Sequence, residues 1–225
     1  MSINVLMRVV IWAGPVLFSI VVHETAHGWM AYRFGDDTAK KMGRLTLNPL
    51  PHIDIMGTLV LPLIMMIMGG PVFGWAKPVP FNPNNFNRNV NVKNAVMWVA
   101  LAGPVSNLII AFISSFVFVA VQKFFPDLPS IIYFSITQLA KALIIINLIL
   151  ASLNLIPIPP LDGSKILMRF LPSTYTPYFL MLERYGFIIL IILLATGVFS
   201  KLIWVPVQFL YSIFHFIPAF LFNMI

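Results

Sequence analysis

The chain has 225 residues, 60% of them hydrophobic and only 9% charged, whereas a soluble domain carries about a quarter charged residues. That composition predicts a membrane protein, with no polar stretch long enough to build an extramembrane domain. The formal net charge of +7 does not indicate nucleic-acid binding, because the Lys and Arg lie scattered between apolar blocks as caps on membrane spans; with no cysteine, thiolate metal sites, thiol nucleophiles and disulfides are excluded.

Residues 5–33 form the first apolar block, with Arg8 near one end and Arg33 at the other. As a helix it is ~40 Å long at ~1.5 Å per residue, enough to span, and Pro15 is expected to kink it. The run continues past the length of a signal-peptide core without a small-residue cleavage site, so no cleavable signal is expected. Residues 34–94 are predicted as a cytoplasmic and re-entrant region. Within it, Ile55 to Met68 is apolar but only about 14 residues long, with Pro62 in its middle, which suits a re-entrant hairpin. Basic residues flank it on both sides (Arg33, Lys40, Lys41 and Arg44; Lys77, Arg88 and Lys93), which puts both flanks on the cytoplasmic face. The alternating "GRLTLNP" predicts a short strand.

Spans are predicted at 95–121 and 131–156. The second ends in "NLIPIPPLDG", whose prolines stop the helix and lead into a PPLDG loop at 157–163. Closing spans are predicted at 179–199 and 202–222. The expectation is a single domain, 1–225: an all-α polytopic membrane protein with about five transmembrane helices, a re-entrant segment and short cytoplasmic β-strands.

The first block carries "HETAH", three ionisable groups within five positions. On a helix, positions i and i+4 share a face, so His23 and His27 can hold one metal ion. Glu24 sits where its carboxylate reaches a water on that metal rather than the metal itself, the H-E-x-x-H arrangement of zinc peptidases. An isolated ionisable residue at mid-span costs about 2.5–3.5 kcal/mol on insertion scales. Helix packing or a proton relay accounts for one such residue, not for the trio.

Catalytic zinc usually takes three protein ligands and leaves a fourth position for water. Asp36 and Asp37 follow the motif too closely to fold back on it, and Asp127 falls in a loop assigned to the opposite face. Glu183 sits beside Arg184 as a helix-start ion pair, and His215 reads as an interfacial histidine. His52 and Asp54, in the cytoplasmic loop, suit gating or a second ion. Asp162 follows a proline-stopped span, and Gly163 permits a tight backbone that turns the carboxylate back to the depth of the two histidines. It also suits an N-cap of a helix over Ser164–Leu171; the two roles are compatible.

"HETAH", "ALAGPVSN" and "NLIPIPPLDG" together resemble the site-2 protease family of intramembrane zinc metalloproteases, over the stretch from His23 to about Leu171. "GRLTLNP", "HIDIMGTLVLP" and "GWAKPVPFNP" resemble its compact bacterial and archaeal branch, without a PDZ or CBS domain. The resemblance implies one Zn2+ per chain held by His23, His27 and Asp162, with Glu24 as the base. It further implies that Asn154 and Asn107, which match two asparagines of the family motifs, bind substrate; interhelical hydrogen bonding is the other reading of both. The implied protein is a multi-pass prokaryotic membrane enzyme with its site toward the cytoplasm, cutting a transmembrane helix of a membrane-protein substrate within the lipid bilayer in regulated intramembrane proteolysis.

A helical substrate must unwind before its carbonyls are reachable, so strand-like edges at Gly43–Asn48 or Val72–Phe81 are expected to pair with it. Three alternatives make different predictions. A zinc transporter or metal sensor gives Glu24 no reason to sit inside the histidine pair. A catalytically dead membrane chaperone predicts a missing ligand or base. A zinc protease with a glutamate as third ligand would use Glu183.

Overall fold

Ser19, His23, His27 and Ala31 recur every four residues, and all four are buried, while Phe18, Trp29 and Tyr32 are exposed. This small and polar stripe is the inner face of helix α1 (Ile3–Arg33), which runs unbroken through Pro15. The structure, a computed structural model, describes residues 3–60, 64, 76–195 and 197–224.

The stripe packs on a matching one. Helix α3 (Val92–Phe124) buries Ala95, Val99, Ala100, Gly103, Pro104, Asn107 and Ala111. Lipid tails are as apolar as the side chains, so helix association in a membrane depends on close packing and interhelical hydrogen bonds, which small residues permit. The start of α3 is set by Asn91, whose side chain accepts from Asn94 N, an ordinary N-cap. Helix α4 (Ser130–Asn154) packs against both α1 and α3. Helix α7 (Val198–Asn223) closes the bundle, with Val207 against Ala111, Ile144 and Leu148. Between them come the short α2 (Thr38–Lys41), α5 (Asp162–Met168) and α6 (Thr176–Ala195).

Large apolar side chains such as Ile109, Ile113, Phe134 and Leu139 remain exposed on α3 and α4, as suits helices facing lipid. Among the described residues three helical stretches, Val92–Phe124, Ser130–Asn154 and Lys201–Asn223, are long and apolar enough to cross a membrane. The molecule is therefore an all-α membrane protein, with three spans identified in this way against the five expected.

The expected strands do not form among the described residues. Gly43–Asn48 makes turns and bends, because the Thr46 carbonyl accepts from Thr25 Oγ1 (2.8 Å) and from the His52 ring (3.0 Å) rather than from a neighbouring strand. Residues 76–81 form neither helix nor strand, and 72–75 lie outside the described residues. Of the expected re-entrant segment, 61–63 and 65–68 also lie outside them. Its start, Ile55–Val60, is a π-helical turn opened by Asp54, whose Oδ1 accepts from Gly57 N at 2.7 Å.

Helix α5 begins at Asp162, two residues before the expected Ser164, and its N-cap is Leu161. Asp162 is therefore the first helical residue and not the cap. A Cβ on Gly163 would collide with the carbonyls of Leu155 and Ile156. Its absence lets α5 tuck under the end of α4, which carries Asp162 back toward α1.

Candidate metal centre and catalytic cavity

His23 Nε2 and His27 Nε2 lie 3.0 Å apart, and Asp162 Oδ2 lies 3.3 Å from the first and 3.2 Å from the second. All three residues are buried. A tetrahedral zinc site with ligands at ~2.0–2.1 Å has edges of about 3.3–3.4 Å, so the three atoms stand close to the corners of one face. Gly103 of α3 lies against both rings: a Cβ there would collide with His27 Nε2 and His23 Cε1.

Hydrogen bonds behind the rings determine what those corners carry. His27 Nδ1 meets the Val99 carbonyl at 2.6 Å; a carbonyl only accepts, so Nδ1 holds a proton, and in the neutral ring Nε2 then has a lone pair. For His23 the assignment takes two more steps. Asn147 Nδ2 donates to the Leu143 carbonyl (2.8 Å) and to Ser19 Oγ (2.8 Å), which turns its Oδ1 toward Asn107 Nδ2 (2.7 Å). Asn107 Oδ1 is then left to accept from His23 Nδ1–H at 2.6 Å. Both Nε2 atoms therefore present lone pairs to each other and to a carboxylate oxygen, an arrangement that a cation completes. Two neutral imidazoles and one carboxylate, each imidazole held from behind, fit a zinc ion.

Glu24 stands beside this trio on a different support. Its Oε2 accepts from Val79 N at 2.8 Å. Val79 belongs to an irregular strap, residues 76–81, that borders the site and is anchored along its length. Lys77 N donates to the His52 carbonyl (2.9 Å), and the buried Arg44 donates to the carbonyls of Lys77 (3.4 Å) and Pro78 (3.1 Å). Just beyond the strap, Asn82 N donates to Asp36 Oδ2 at 2.6 Å, and Asn85 Nδ2 donates to Asp36 Oδ1 at 3.0 Å. Burial would raise the Asp36 carboxyl, but the Thr38 hydroxyl, the Asn82 and Thr38 N–H groups and the Asn85 amide hold it below the ordinary range.

Trio and strap enclose a cavity of about 160 Å³ whose wall also includes Glu24, Phe81, Asn154, Pro160 and Lys165. Of the two asparagines expected to touch substrate, Asn154 lines it, with one amide hydrogen on its own helix at the Leu150 carbonyl (3.0 Å). Asn107 does not. It is fully buried, and its amide is shared between His23, Asn147 and Ser19.

The other acids and histidines stand apart from the trio. Asp37 pairs with Lys41 at 2.9 Å, Asp127 and Glu183 are exposed, and the His215 ring stacks on Tyr211. Sequence reasoning missed Asn147, Ser19, Arg44 and the Val79 amide. Asn147 carried a usable signal, as a lone amide in the apolar run "LIIINLILAS"; a backbone N–H carries none.

Residues 129–197, which include Asp162, match the family described as Peptidase family M50. The chain is 40% identical over 189 residues to a Bacillus subtilis (strain 168) protein named "Putative zinc metalloprotease YwhC", covering 84% of this chain and 82% of the relative. The chain belongs to peptidase family M50, the site-2 protease family. It is thereby a metalloendopeptidase of a zinc-dependent family. It is also 30% identical over 185 residues to "Putative zinc metalloprotease Rip2" of Mycolicibacterium smegmatis, covering 82% of this chain and 66% of that protein. A Mycobacterium tuberculosis (H37Rv) protein of the same name is 31% identical over 147 residues, with 65% of this chain and 52% of the relative covered. The chain thus spans most of YwhC but only about half to two thirds of the Rip2 proteins. No solved structure matches it.

Proposed function

We propose that this M50 chain is an intramembrane zinc metalloprotease, hydrolysing peptide bonds within or near transmembrane segments of membrane proteins. What supports this above all is the convergence of three lone pairs on one point beside a separately anchored carboxylate. His23, His27 and Asp162 would hold the ion, which when bound would supply Lewis-acid activation of water and of a peptide carbonyl.

Glu24 is the base. With Oε2 tied to the Val79 amide, Oε1 takes the proton of the attacking water and passes it to the leaving nitrogen. Asn154 keeps one amide hydrogen for a substrate carbonyl as negative charge develops on it. Asn107 acts from behind, by orienting His23.

The whole chain, 1–225, acts as one domain with five spans. Arg33 and the Trp29 ring, 5.3 Å apart, suit a membrane interface, and the Lys and Arg of the loop that follows support its being the cytoplasmic one. His27 lies six residues before Arg33, or ~9 Å along the helix. This depth suits a hydrolytic site that needs both water and a lipid-embedded substrate.

The test is purification in detergent, zinc analysis, and incubation with a panel of transmembrane peptides. Wild type is expected to hold one zinc per chain and cut; Glu24→Gln is expected to hold zinc and fail to cut. Equal cleavage by both proteins would refute the mechanism.

A further inference from the structure

The cavity wall is rich in acceptors and poor in donors. Glu24, Asp162 and the two imidazole lone pairs all accept. Pro78 and Pro80 of the strap have no N–H, the Val79 N–H is taken by Glu24, and Asn154 has given one of its two amide hydrogens to Leu150. Beside the second amide hydrogen of Asn154, the wall has one cationic side-chain donor, Lys165.

Lys165 follows Asp162 by three positions on α5, so the two share a face, and both line the cavity. The Lys165 side chain is half-buried. Nearby cations have oxygen partners: Arg44 on the Lys77 and Pro78 carbonyls, Lys93 on Ser173 and Leu171, Arg169 on Asn94. Lys165 has neither an ion pair nor a hydrogen bond among the described residues. Its one described contact is the Phe81 ring, 5.8 Å from Nζ, so the ammonium rests on the strap and faces the space between strap and metal centre.

We propose that Lys165 is a specificity-determining residue that binds a substrate carboxylate: an Asp or Glu side chain within a residue or two of the cleaved bond. This rests on the metalloprotease reading and adds the substrate class to it. A partly dehydrated ammonium with no counter-ion among the described residues gains most from a charged acceptor, because charge-assisted bonds are roughly twice as strong as neutral ones. An acidic residue in a transmembrane segment is unfavourable in lipid, so transfer to Lys165 relieves it. Without Lys165, the carboxylates of Glu24 and Asp162 would repel such a group. A volume of about 160 Å³ has room for one short side chain beside the peptide.

The experiment reads binding, so that it does not depend on turnover. Zinc-loaded Glu24→Gln protein is titrated with fluorescent transmembrane peptides that differ only in carrying Asp, Asn or Lys, placed in turn at each of four positions in a glycine-weakened stretch. At one position or more, the Asp peptide is expected to bind about tenfold tighter than its Asn twin. Lys165→Met should erase that difference while leaving the Asn peptide's affinity unchanged, and Lys165→Glu should transfer the preference to the Lys peptide. Equal affinities for Asp and Asn peptides at every position overturn the proposal. So does an Asp preference that survives Lys165→Met, or a variant that weakens all peptides alike, which would make Lys165 a general backbone donor. If wild type holds zinc and cuts no peptide while the Asp preference stands, it is the protease reading that fails.

Discussion

Asn147 does not touch His23, yet it determines which nitrogen of His23 carries the proton, and so leaves Nε2 with a lone pair toward Asp162. Its Oδ1 accepts from Asn107 Nδ2 at 2.7 Å, and only in that orientation does Asn107 offer His23 an acceptor. Asn147→Leu removes the orienting acceptor and leaves a buried amide donor on Asn107. Metal-site partners at this remove typically govern metal affinity by 10–100-fold, and a zinc affinity about tenfold or more weaker is expected. Competition with a fluorescent chelator measures it; unchanged affinity would mean that His23 is oriented by something else.

Gly103 is the point of closest approach between α3 and the metal centre, since a Cβ there would strike both imidazoles. Gly103→Ala should therefore abolish stoichiometric zinc binding, even though alanine is the better helix former by ~1 kcal/mol. Gly14→Ala, where a Cβ meets nothing within 4 Å, is the control and should bind zinc normally. Zinc content of the two purified proteins separates a local clash from a general loss of fold.

Arg44 and Glu24 are joined through the strap: Arg44 holds the Pro78 carbonyl at 3.1 Å, and the next residue, Val79, donates to Glu24. Arg44→Ala frees the strap and lets the base drift. Misplacement of a catalytic group by about 1 Å can cost ~100-fold, so kcat is expected to drop by 10–100-fold with zinc content unchanged. Arg44→Lys should recover part of it. Loss of zinc along with activity would show that the fold, not the base, had been disturbed.

Asp36 ties the start of α2 to the chain just past the strap. Its carboxyl is held below the ordinary range in the folded protein, so it contributes stability that is complete above the unfolded pKa, about 3.9, and is lost as the pH falls through the lower folded value. Thermal stability is expected to decline with acid below about pH 4. Asp36→Asn should be less stable at pH 7 and show a shallower acid slope. Parallel slopes for the two proteins would assign the acid sensitivity to other groups.

The first two corners of the candidate metal centre are legible in the sequence because they are local: His23 and His27 face one way by helical spacing alone. Asp162 was legible for a different reason, since a chain with seven acids leaves few candidates once loops on the wrong face are removed. The strand at Gly43–Asn48 was misjudged because its alternation is real while its backbone acceptors serve side chains, Thr25 and His52, that arrive from elsewhere in the chain. Asn107 has two readings in the sequence, substrate contact and interhelical hydrogen bonding, and its buried bonds to His23 and Asn147 favour the second; depth within a bundle depends on which helices surround it, and no spacing rule reports that. The strap's hold on Glu24 runs through a main-chain amide, which every residue except proline possesses.

The third ligand offers the sharpest contrast between two carboxylates. Asp162 Oδ2 stands 3.2–3.3 Å from both imidazole nitrogens, whereas Glu183 is exposed on α6. A ligand that binds only the folded state raises stability by about 2.7 kcal/mol at a concentration 100 times its Kd, so zinc should raise the melting temperature of the metal-stripped wild type by several degrees. Asp162→Asn keeps the shape of the side chain but replaces an anionic ligand with a neutral amide, and that shift should nearly vanish. Glu183→Gln should retain all of it. The reverse pattern would hand the third corner to Glu183, and with it the reading of how α5 folds back onto α1.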